Sequence, residues 1–332
     1  MMIRNMKTTC LINSFNYKDY VGEAIESALS QIHPFDEIIV VDDASTDGSI
    51  EILQEGYGQN SNVKIIVHEQ NQGQLGATTT GFLQSTGDII FFLDADDIYH
   101  PQYLETALNV YRDNPTCEFL SSHMGAFRFT KDNYQEPSQE QISRYKEYTQ
   151  NRGYSLILTV EEHIFVGSPT SGNSILRNYL SKILPCNCID GYRMYSDNCV
   201  VFGSSIFGAR KFSINLPLVG YRRHDKNETN YNIFYLDRFK YYQNQVTTIR
   251  LFAFWRQKMN LDISQISRLA PYEFKTIDYP TWELFFIYLK IMLRNPSSVP
   301  FTPQWQLSKL HGLGMMLKHM LTRRKRSNLG LK

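Results

Sequence analysis

The chain of 332 residues is 42% hydrophobic and 20% charged, which is ordinary for a globular protein with a substantial core. Its 34 Lys and Arg nearly cancel its 33 Asp and Glu, and this argues against a nucleic-acid partner, because such proteins present a strongly basic surface. No apolar run approaches the roughly 18 residues that a membrane span requires, and no signal peptide is recognisable. The five cysteines are odd in number and contain no C-x-x-C pair, so we expect free thiols in a cytoplasmic protein.

The first part of the chain alternates strand and helix patterns. Apolar runs predict buried strands at 9–13, 37–42, 63–68 and 88–93. Apolar residues at helical spacing predict helices at 20–32, 50–55, 74–84 and 101–112. This order predicts right-handed crossovers and a mainly parallel sheet between two layers of helices, an α/β/α architecture. Ligands of such sheets bind at the carboxyl ends of the strands.

Beyond these elements the pattern changes. Residues 131–152 are polar and predict a mobile loop or a helical excursion. Mixed elements follow from 159 to 221, and long helical patterns dominate from about Asn230 onward.

Three carboxylates follow the fourth predicted strand directly, in the sequence Phe91-Phe-Leu-Asp-Ala-Asp-Asp97. Repulsion between like charges at a strand end costs stability unless a cation or hydrogen bonds offset it. A divalent cation such as Mn²⁺ or Mg²⁺ takes oxygen ligands of this kind and also binds phosphate oxygens. The pattern therefore predicts a cation site beside a diphosphate, and the alternative is a surface turn with capping aspartates.

Two further polar clusters follow predicted strands. Asp42-Asp-Ala-Ser-Thr-Asp-Gly-Ser49 follows the second strand, where an aspartate can accept hydrogen bonds from a nucleobase or a ribose. Asn13-Ser-Phe-Asn-Tyr17 follows the first strand and offers amides and an aromatic face. Each cluster is alternatively an ordinary capped turn before a helix. Together with the three carboxylates, they favour a single binding edge.

These motifs and Asn71-Gln-Gly73, in this order and spacing, resemble glycosyltransferase family 2. The likeness extends over about residues 7–225 and is densest in the first 110. It implies the GT-A fold, a Rossmann-like architecture for nucleotide-diphospho-sugar transferases. It also implies a nucleotide-sugar donor with UDP favoured, a divalent cation, Mn²⁺ or Mg²⁺, and inversion at the anomeric carbon.

The resemblance also implies a division of the chain. Residues 1–228 form the GT-A catalytic domain, with a nucleotide-binding half at about 1–125 and an acceptor half at about 126–228. Residues 229–332 form a helical C-terminal extension.

Several residues of the nucleotide-binding half take roles by this resemblance. Asp43 is expected to contact the nucleobase, Asp94 to approach the ribose and Asp96 to ligate the metal. The other expected nucleotide contacts are Asn13, Phe15, Asn16, Gly73 and Ala95. Many relatives carry a basic residue in the helix after the Asn-x-Gly turn, but this chain has Gly76-Ala-Thr-Thr-Thr80 there. Contacts from that helix to base or phosphate therefore stay unassigned.

An inverting single displacement needs a carboxylate that accepts the proton of the acceptor hydroxyl. The family places it in a Glu-Asp-like pair before a helix, and Gly191-Tyr-Arg-Met-Tyr-Ser-Asp197 resembles that segment, with Ser196 where Glu is common. We predict Asp197 as the catalytic base and Asp190 as its rival. Alternatively, Asp197 only caps the helix that begins near Asn198.

Two later segments also resemble the family. Phe165-Val-Gly-Ser-Pro-Thr-Ser-Gly-Asn173 is similar to the stretch that lines the acceptor side, with a plain loop as the alternative. The predicted acceptor contacts are Thr170, Ser171, Gly172 and Asn173. Tyr221-Arg-Arg-His-Asp-Lys-Asn227 is similar to the end of many catalytic domains, where cations can neutralise a departing diphosphate. His224 is a second predicted metal ligand, with a structural role as the alternative.

The C-terminal extension contains an apolar helix pattern and a basic tail. Residues 282–293 are predicted to pack on the catalytic domain, to form a homodimer or to enter a bilayer interface. The basic segment from Lys318 to Arg326 can attract anionic lipid. Because acceptors of such enzymes are often lipid-linked, we expect peripheral attachment to the cytoplasmic face of a membrane, with a solvated tail as the alternative.

The sequence thus predicts a glycosyltransferase that moves a sugar to a hydroxyl of a glycan or lipid-linked saccharide in cell-surface polysaccharide synthesis. An aspartyl-nucleophile phosphohydrolase is one alternative, since Asp94-Ala-Asp96 follows an apolar strand. Phosphohydrolases of this kind carry the motif on their first strand, whereas here it follows the fourth. A non-catalytic sugar-binding homologue is the other alternative, and the presence of Asp197 with Asp94 and Asp96 argues against it.

Overall fold

A computed structural model describes residues 6–127, 135–186, 196–224, 238–261, 266–294 and 303–328. Side chains at 238–245, 303–306 and 324–328 are not described. The rival base Asp190 and the predicted domain boundary at residue 228 lie outside the described residues.

Within the described ranges, nine strands form one sheet. They are β1 Thr8–Ser14, β2 Glu37–Asp42, β3 Val63–Val67, β4 Ile89–Asp94, β5 Ile98–Tyr99, β6 Phe119–Phe127, β7 Thr149–Gly153, β8 Asn173–Leu176 and β9 Lys211–Arg222. Their order across the sheet is β3-β2-β1-β4-β8-β6-β9-β5, and β7 also pairs with β9. Strands β1 to β4 are parallel, as predicted, whereas β8 runs antiparallel to both β4 and β6.

The parallel strands are apolar along their whole length because helices cover both faces of the sheet. Successive side chains of β1 point to opposite faces. Cys10 and Ile12 therefore enter one core cluster, and Leu11 enters the other. This arrangement explains why the sequence shows continuous apolar runs and not an alternation.

Helices of the nucleotide-binding half alternate with the parallel strands. They are α1 Val21–Leu29, α2 Ser49–Tyr57, α3 Gln74–Gln84 and α4 Tyr103–Asp113. The later helices are α5 Gln139–Ser143, α6 Tyr145–Tyr148, α7 Leu156–Glu162, α8 Arg177–Ile183, α9 Ser196–Ile206, α10 Arg238–Met259, α11 Ala270–Phe274, α12 Trp282–Leu293 and α13 Pro303–Asn328. The polar stretch predicted as a loop or helical excursion thus contains α5, α6 and most of β7 in its described part.

The helical extension packs on the acceptor half through a buried carboxylate. Glu273 of α11 accepts hydrogen bonds from the backbone N–H groups of Ile157 at 2.9 Å and Leu158 at 3.3 Å, and from the Tyr288 hydroxyl at 2.8 Å. The first N–H groups of a helix have no partner within it, so Glu273 satisfies the start of α7. Burial raises the pKa of Glu273. One face of α12, which includes Tyr288 and Phe285, is buried against these elements.

The cysteines require one correction. Cys10, Cys117 and Cys199 are buried free thiols, as expected, but Cys186 is disulfide-bonded. Whether two cysteines can bond depends on their separation in space, which sequence spacing does not give. In the described part of the chain, no helix is both long enough and apolar enough to cross a bilayer.

Candidate active site

The carboxyl ends of β1, β2 and β4 lie side by side because these strands are parallel and in register. Asn13 pairs with Val41 of β2 and with Asp94 of β4, and Ser14 pairs with Asp42. Adjacent strands are about 4.8 Å apart, so residues that follow these three strands meet at one edge of the sheet. The predicted polar clusters are therefore neighbours.

Asp94, Asp96 and Asp97 each place a carboxylate oxygen within 4.8 Å of the other two. Asp96 and Asp97 are buried, and Asp94 is half-buried. The Asp97 carboxylate accepts hydrogen bonds from the Ser171 hydroxyl at 2.6 Å and from the Arg222 backbone N–H at 3.0 Å. Asp97 thus joins the end of β4 to the end of β9 and to the turn before β8. We call these three residues the aspartate cluster.

The environment of the aspartate cluster opposes ionisation. Burial, followed by the negative charge of Asp96, raises the pKa of Asp94 to about 7. Burial and the charges of Asp96 and Asp94 raise the pKa of Asp97 well above its ordinary value. A bound cation would favour the ionised form of these groups and offset the cost of gathering them.

Gln74, the first residue of α3, connects the two halves of the site. Its side-chain amide donates to Asp94 Oδ1 at 2.9 Å and to the Thr170 hydroxyl at 3.3 Å. Its amide oxygen accepts the backbone N–H of Ser196 at 3.1 Å. Because Ser196 begins α9, Gln74 ties the end of β4 to the helix that carries Asp197.

Asp197 lies in the first turn of α9 and is half-buried. Its carboxylate accepts the backbone N–H of Asn198 at 2.7 Å, and burial raises its pKa to about 6. The charge of Asp197 in turn raises the pKa of Asp94, so the two carboxylates lie within electrostatic range of each other. The fold therefore brings the predicted base to the aspartate cluster.

Asp43 is buried and makes several hydrogen bonds within the protein. One carboxylate oxygen contacts His68 Nδ1 at 2.7 Å and accepts the Gln72 backbone N–H at 2.8 Å, and the other accepts the Gly73 backbone N–H at 2.7 Å. His68 Nε2 lies 2.9 Å from the Thr80 hydroxyl. Asp43 therefore holds the Asn-x-Gly turn against the end of β2. Its contact with a nucleobase stays a prediction.

The other predicted nucleotide contacts surround the same edge. Asn16 has a positive φ of 59°, and its side chain accepts the Thr46 backbone N–H at 2.8 Å. Phe15 is 42% exposed, so its ring is accessible for stacking. Ala95 is buried, and its backbone N–H donates to the Asn13 carbonyl at 3.1 Å. Their roles toward a nucleotide also stay predictions.

Arg222, the last residue of β9, and His224, two residues later, lie beside the aspartate cluster. Arg222 is buried, donates to the Asp96 carbonyl at 2.9 Å and forms an ion pair with Glu23 at 2.6 Å. His224 Nε2 lies 3.0 Å from Asp96 Oδ2, and its ring stacks on Tyr20 with 4.8 Å between centroids. The two residues predicted to ligate a metal are therefore in direct contact.

The four predicted acceptor residues form a tight turn and the start of β8. The Ser171 hydroxyl accepts the Asp94 backbone N–H at 3.0 Å. A side chain at Gly172 would lie 2.3 Å from Ser168 Oγ, so the close packing here requires glycine. The Asn173 side chain accepts the Ser168 backbone N–H at 3.0 Å. These contacts position the turn, and binding of an acceptor to it stays a prediction.

Two residues that our sequence reasoning missed contribute to this site. Gln74 begins a helix directly after the Asn-x-Gly turn, so its side chain lies at the carboxyl edge of the sheet. His68 directly follows β3, and parallel strands end at the same edge. Both positions were therefore available from the strand pattern, but neither residue type marks a metal or catalytic cluster by itself.

The donor set suits a hard divalent cation. Buried carboxylate oxygens at short mutual distances, with an imidazole nitrogen beside them, are ligands that Mg²⁺ and Mn²⁺ accept. The pKa of Asp94 is raised because this carboxylate is buried beside the negative charge of Asp96. The residues present therefore fit the cation that the sequence predicts.

The chain matches the family model described as Glycosyl transferase family 2 over residues 9–180, more than half of its length. This chain belongs to glycosyltransferase family 2. The matched region includes the aspartate cluster, Asp43, Gln74 and the turn before β8, and it ends before Asp197. Membership in this family favours the glycosyltransferase interpretation over the phosphohydrolase alternative.

Relatives of this family 2 protein cover parts of its length. It is 28% identical over 222 residues to an uncharacterized glycosyltransferase of Nostoc sp., which covers 67% of this chain and 66% of that protein. It is 34% identical over 117 residues to a Bacillus subtilis protein named "Putative teichuronic acid biosynthesis glycosyltransferase TuaG", covering 35% of this chain and 43% of that one. The chain thus spans about two thirds or less of the curated relatives it matches.

Crystal structures of S. aureus TarS have a similar fold. The structure of TarS 1-349 in complex with UDP-GlcNAc covers 98% of this chain and 92% of its own, with a TM-score of 0.51 and 16% identity. The complex of TarS 1-349 with UDP gives a TM-score of 0.50 at the same identity. The family 2 protein therefore has the GT-A fold, with helices following it in the C-terminal region.

Proposed function

We propose that this protein transfers a sugar from a nucleotide-diphospho sugar, with UDP-sugars favoured, to a hydroxyl of a glycan or lipid-linked saccharide. The reaction is an inverting single displacement. The observation that carries the proposal is the aspartate cluster at the carboxyl edge of a parallel sheet, with Asp197 beside it on a separate helix. Family membership supports the reaction class.

The nucleotide occupies the ends of β1, β2 and β4 in this proposal. Asp43 contacts the base, with Asn16 nearby in the nucleotide pocket. Phe15 contacts the nucleotide, and Asp94 approaches the ribose. Asn13, Gly73 and Ala95 line the floor where the three strands end. The preference for UDP is supported by the fold shared with TarS, whose crystal structures include complexes with UDP and with UDP-GlcNAc.

A divalent cation, Mn²⁺ or Mg²⁺, completes the donor site. Asp96 would hold it, with Asp94 and Asp97 within 4.8 Å and His224 in contact with Asp96. When bound, the cation neutralises negative charge on the diphosphate and so stabilises the leaving group. Arg222 keeps the Asp96 backbone in place through its hydrogen bond to the carbonyl.

Asp197 acts as the base. The acceptor oxygen forms a bond to the anomeric carbon while the bond from that carbon to the diphosphate oxygen breaks, and its electron pair stays on the diphosphate. The acceptor proton moves to the Asp197 carboxylate. A carboxylate whose pKa is raised to about 6 is a stronger base than an ordinary aspartate and is still ionised near neutral pH. Thr170, Ser171, Gly172 and Asn173 form the acceptor side of the cleft.

The biological setting is part of the proposal. Synthesis of a cell-surface polysaccharide is supported by the name of the relative TuaG, which refers to teichuronic acid biosynthesis. We further propose peripheral attachment to the cytoplasmic face of a membrane, since Trp282 and Phe286 of α12 are exposed. Within the basic tail, Arg323 forms an ion pair with Asp278, with 3.0 Å between Arg323 Nη2 and Asp278 Oδ1. A homodimer through the same exposed face is the alternative use of these aromatic residues.

Liposome binding tests the membrane contact. The chain of 332 residues should sediment with vesicles that contain anionic lipid, and deletion of residues 318–332 should weaken this binding. If the shortened protein sediments with the vesicles as the whole chain does, the basic tail has no part in membrane binding.

A thermal-shift screen tests the donor. UDP with Mn²⁺ should raise the melting temperature more than GDP or dTDP, while AMP and NAD have little effect. A ligand at a hundred times its Kd adds about 2.7 kcal/mol to the stability. Asp96→Ala should abolish both the metal-dependent shift and slow hydrolysis of a UDP-sugar. If no nucleoside diphosphate stabilises the protein with either metal, the proposed function is wrong.

A further inference from the structure

A cavity of about 490 Å³ lies between the mixed half of the sheet and the helical extension. The cavity is lined by residues of β6, β7 and β9 and of the segment 164–168. Its wall is completed by Ile277 and Leu284 of the extension. A second cavity of about 380 Å³ shares Gln150, Arg152, Ile164, Ile277 and Leu284 with the first. Each volume lies within the range of about 300–1,000 Å³ that is typical of small-molecule sites.

The charge of the larger cavity is opposite to that of the aspartate cluster. Among the described residues that line it are His123, Arg152 and Lys211, and no Asp or Glu. The Lys211 ammonium is buried and donates to the carbonyls of Val166 and Val201, both at 2.8 Å. Burial lowers the pKa of Lys211 well below its ordinary value, so the positive charge of the cavity comes from Arg152.

Arg152 is the basic residue best placed to meet a ligand. It lines both cavities and is exposed, and its guanidinium donates to Gln150 Oε1 at 3.2 Å. No ion pair joins it to a carboxylate of the described residues. Burial lowers the pKa of Arg152, and no neighbouring negative charge counteracts this effect. Glu283 also lines the smaller cavity. A guanidinium has five donors in a fork that matches a carboxylate or a phosphate.

The remaining lining suits a saccharide. Ser213, Asn215 and Gln150 present hydroxyl and amide groups that can exchange hydrogen bonds with sugar hydroxyls. Phe165 and Leu284 present apolar surface for the faces of sugar rings. A pocket with apolar walls and a few placed polar groups is the usual form of a small-molecule site.

The larger cavity adjoins the proposed reaction centre through two elements. Ser168 lines the cavity and packs against the turn of Ser171, whose hydroxyl bonds to Asp94 and Asp97. Helix α9 is the second element. The carbonyl that accepts from Lys211 belongs to Val201, which lies one helical turn, about 6 Å along the axis, after Asp197.

We propose that this cavity binds the acceptor, and that the acceptor is a saccharide whose carboxylate or phosphate group is bound by Arg152. The inference rests on the proposed function, since it assigns the acceptor side of the same reaction. It gives the helical extension a role in acceptor selection, because Ile277 and Leu284 close the cavity. The donor, in contrast, lies at the aspartate cluster, where the local charge is negative in the absence of a cation.

Binding of three defined oligosaccharides to the chain of 332 residues tests this inference. The probes are a tetrasaccharide containing uronate, a tetrasaccharide carrying a phosphate group and a neutral glucose tetrasaccharide, measured by calorimetry with UDP and Mn²⁺ at saturation. Saturation of the donor site prevents a phosphate probe from binding there. We expect at least one anionic probe to bind about tenfold or more tightly than the neutral one, because a charged hydrogen-bond pair contributes this much. The tighter anionic probe identifies the group as carboxylate or phosphate.

Variants of Arg152 locate the binding. Arg152→Gln should weaken the anionic probe about tenfold or more and leave the neutral probe unchanged, whereas Arg152→Lys should lose less because it keeps the charge. Arg144→Gln is the matched control, since Arg144 is exposed and paired with Glu140 and Glu147 outside the cavity. This control should bind all probes like the wild type.

Three outcomes would overturn the inference. They are equal binding of anionic and neutral probes, binding of none of the three, and an Arg152→Gln variant that binds the anionic probe like the wild type. The melting temperature of each variant and its shift with UDP and Mn²⁺ are recorded in parallel. Failure of the proposed function would appear as no such shift in the wild type, whereas failure of the acceptor inference would leave the shift intact.

Discussion

The aspartate cluster and the Arg152 cavity adjoin opposite ends of one short segment, residues 167–172, and carry opposite charge. At the aspartate cluster, three carboxylates from four consecutive positions lie at the end of one strand, and burial raises the pKa of Asp94 to about 7. At the cavity, the guanidinium of Arg152 has no carboxylate partner among the described residues. The first region is thus suited to a cation with a diphosphate, and the second to an anionic group.

Removal of the proposed base tests the catalytic side of this comparison most strongly. Asp197→Asn should lower the rate of transfer about a thousandfold, because general base catalysis contributes on that order. The UDP-induced rise in melting temperature should stay the same, since the donor binds at the aspartate cluster. Asp190→Asn is the matched variant at the rival position, and it should keep most of the activity. The reverse pattern would assign the base to Asp190.

The hydrogen bonds that join Gln74 to Asp94 and to Ser196 predict a smaller effect on the rate. Gln74→Leu should lower kcat about tenfold to a hundredfold, because the Ser196 backbone N–H and Asp94 each lose a hydrogen-bond partner and α9 shifts relative to the donor. Gln72→Leu is the control, because Gln72 is an exposed side chain in the same turn. Equal kcat for Gln74→Leu and the wild type would show that the link has no part in placing Asp197.

The pH profile distinguishes the acids of the site. The base must be ionised, and the pKa of Asp197 is raised to about 6. At saturating donor and cation, the rate should therefore be constant above about pH 7 and fall about tenfold per pH unit below about pH 6. A rate that stays constant down to pH 5 would show that a group of lower pKa accepts the proton.

The smallest effect concerns stability without metal. The pKa of Asp94 is raised in the folded protein, so the folded state binds protons more tightly than the unfolded state, and stability falls as pH rises from about 4 to about 7. In EDTA at pH 8, Asp94→Asn should therefore raise the free energy of unfolding by about 1 kcal/mol or more. The gain should shrink toward pH 5, where the wild-type carboxyl is protonated.

An exposed aspartate provides the control for this measurement. Asp19→Asn should change the stability little at either pH, because Asp19 is exposed on the approach to α1. Urea unfolding in EDTA at pH 8 and at pH 5 measures the free energy of unfolding of the wild type, Asp94→Asn and Asp19→Asn. A loss of stability in Asp94→Asn at pH 8 would mean that its hydrogen bonds outweigh the cost of burying its charge.

Local sequence patterns predicted the nucleotide-binding half closely. The predicted strand at 37–42 and helix at 74–84 have the same bounds in the structure. Continuous apolar runs and helical spacing are decided by neighbouring residues, so they are readable without knowledge of the fold. The helix predicted at 20–32 ends earlier, at Leu29, which is the usual uncertainty at helix ends.

The sequence by itself determined the aspartate cluster, because parallel strands end at one edge of a sheet and the acidic residues follow a strand directly. Only the tertiary structure decided which side chains meet across long sequence separations. Gln74 contacts Ser196, Asp97 contacts Arg222, and Arg152 faces the same cavity as Leu284. Such contacts depend on how helices and the C-terminal extension dock on the sheet. Docking is set by the combined packing of the whole core, which no local pattern encodes.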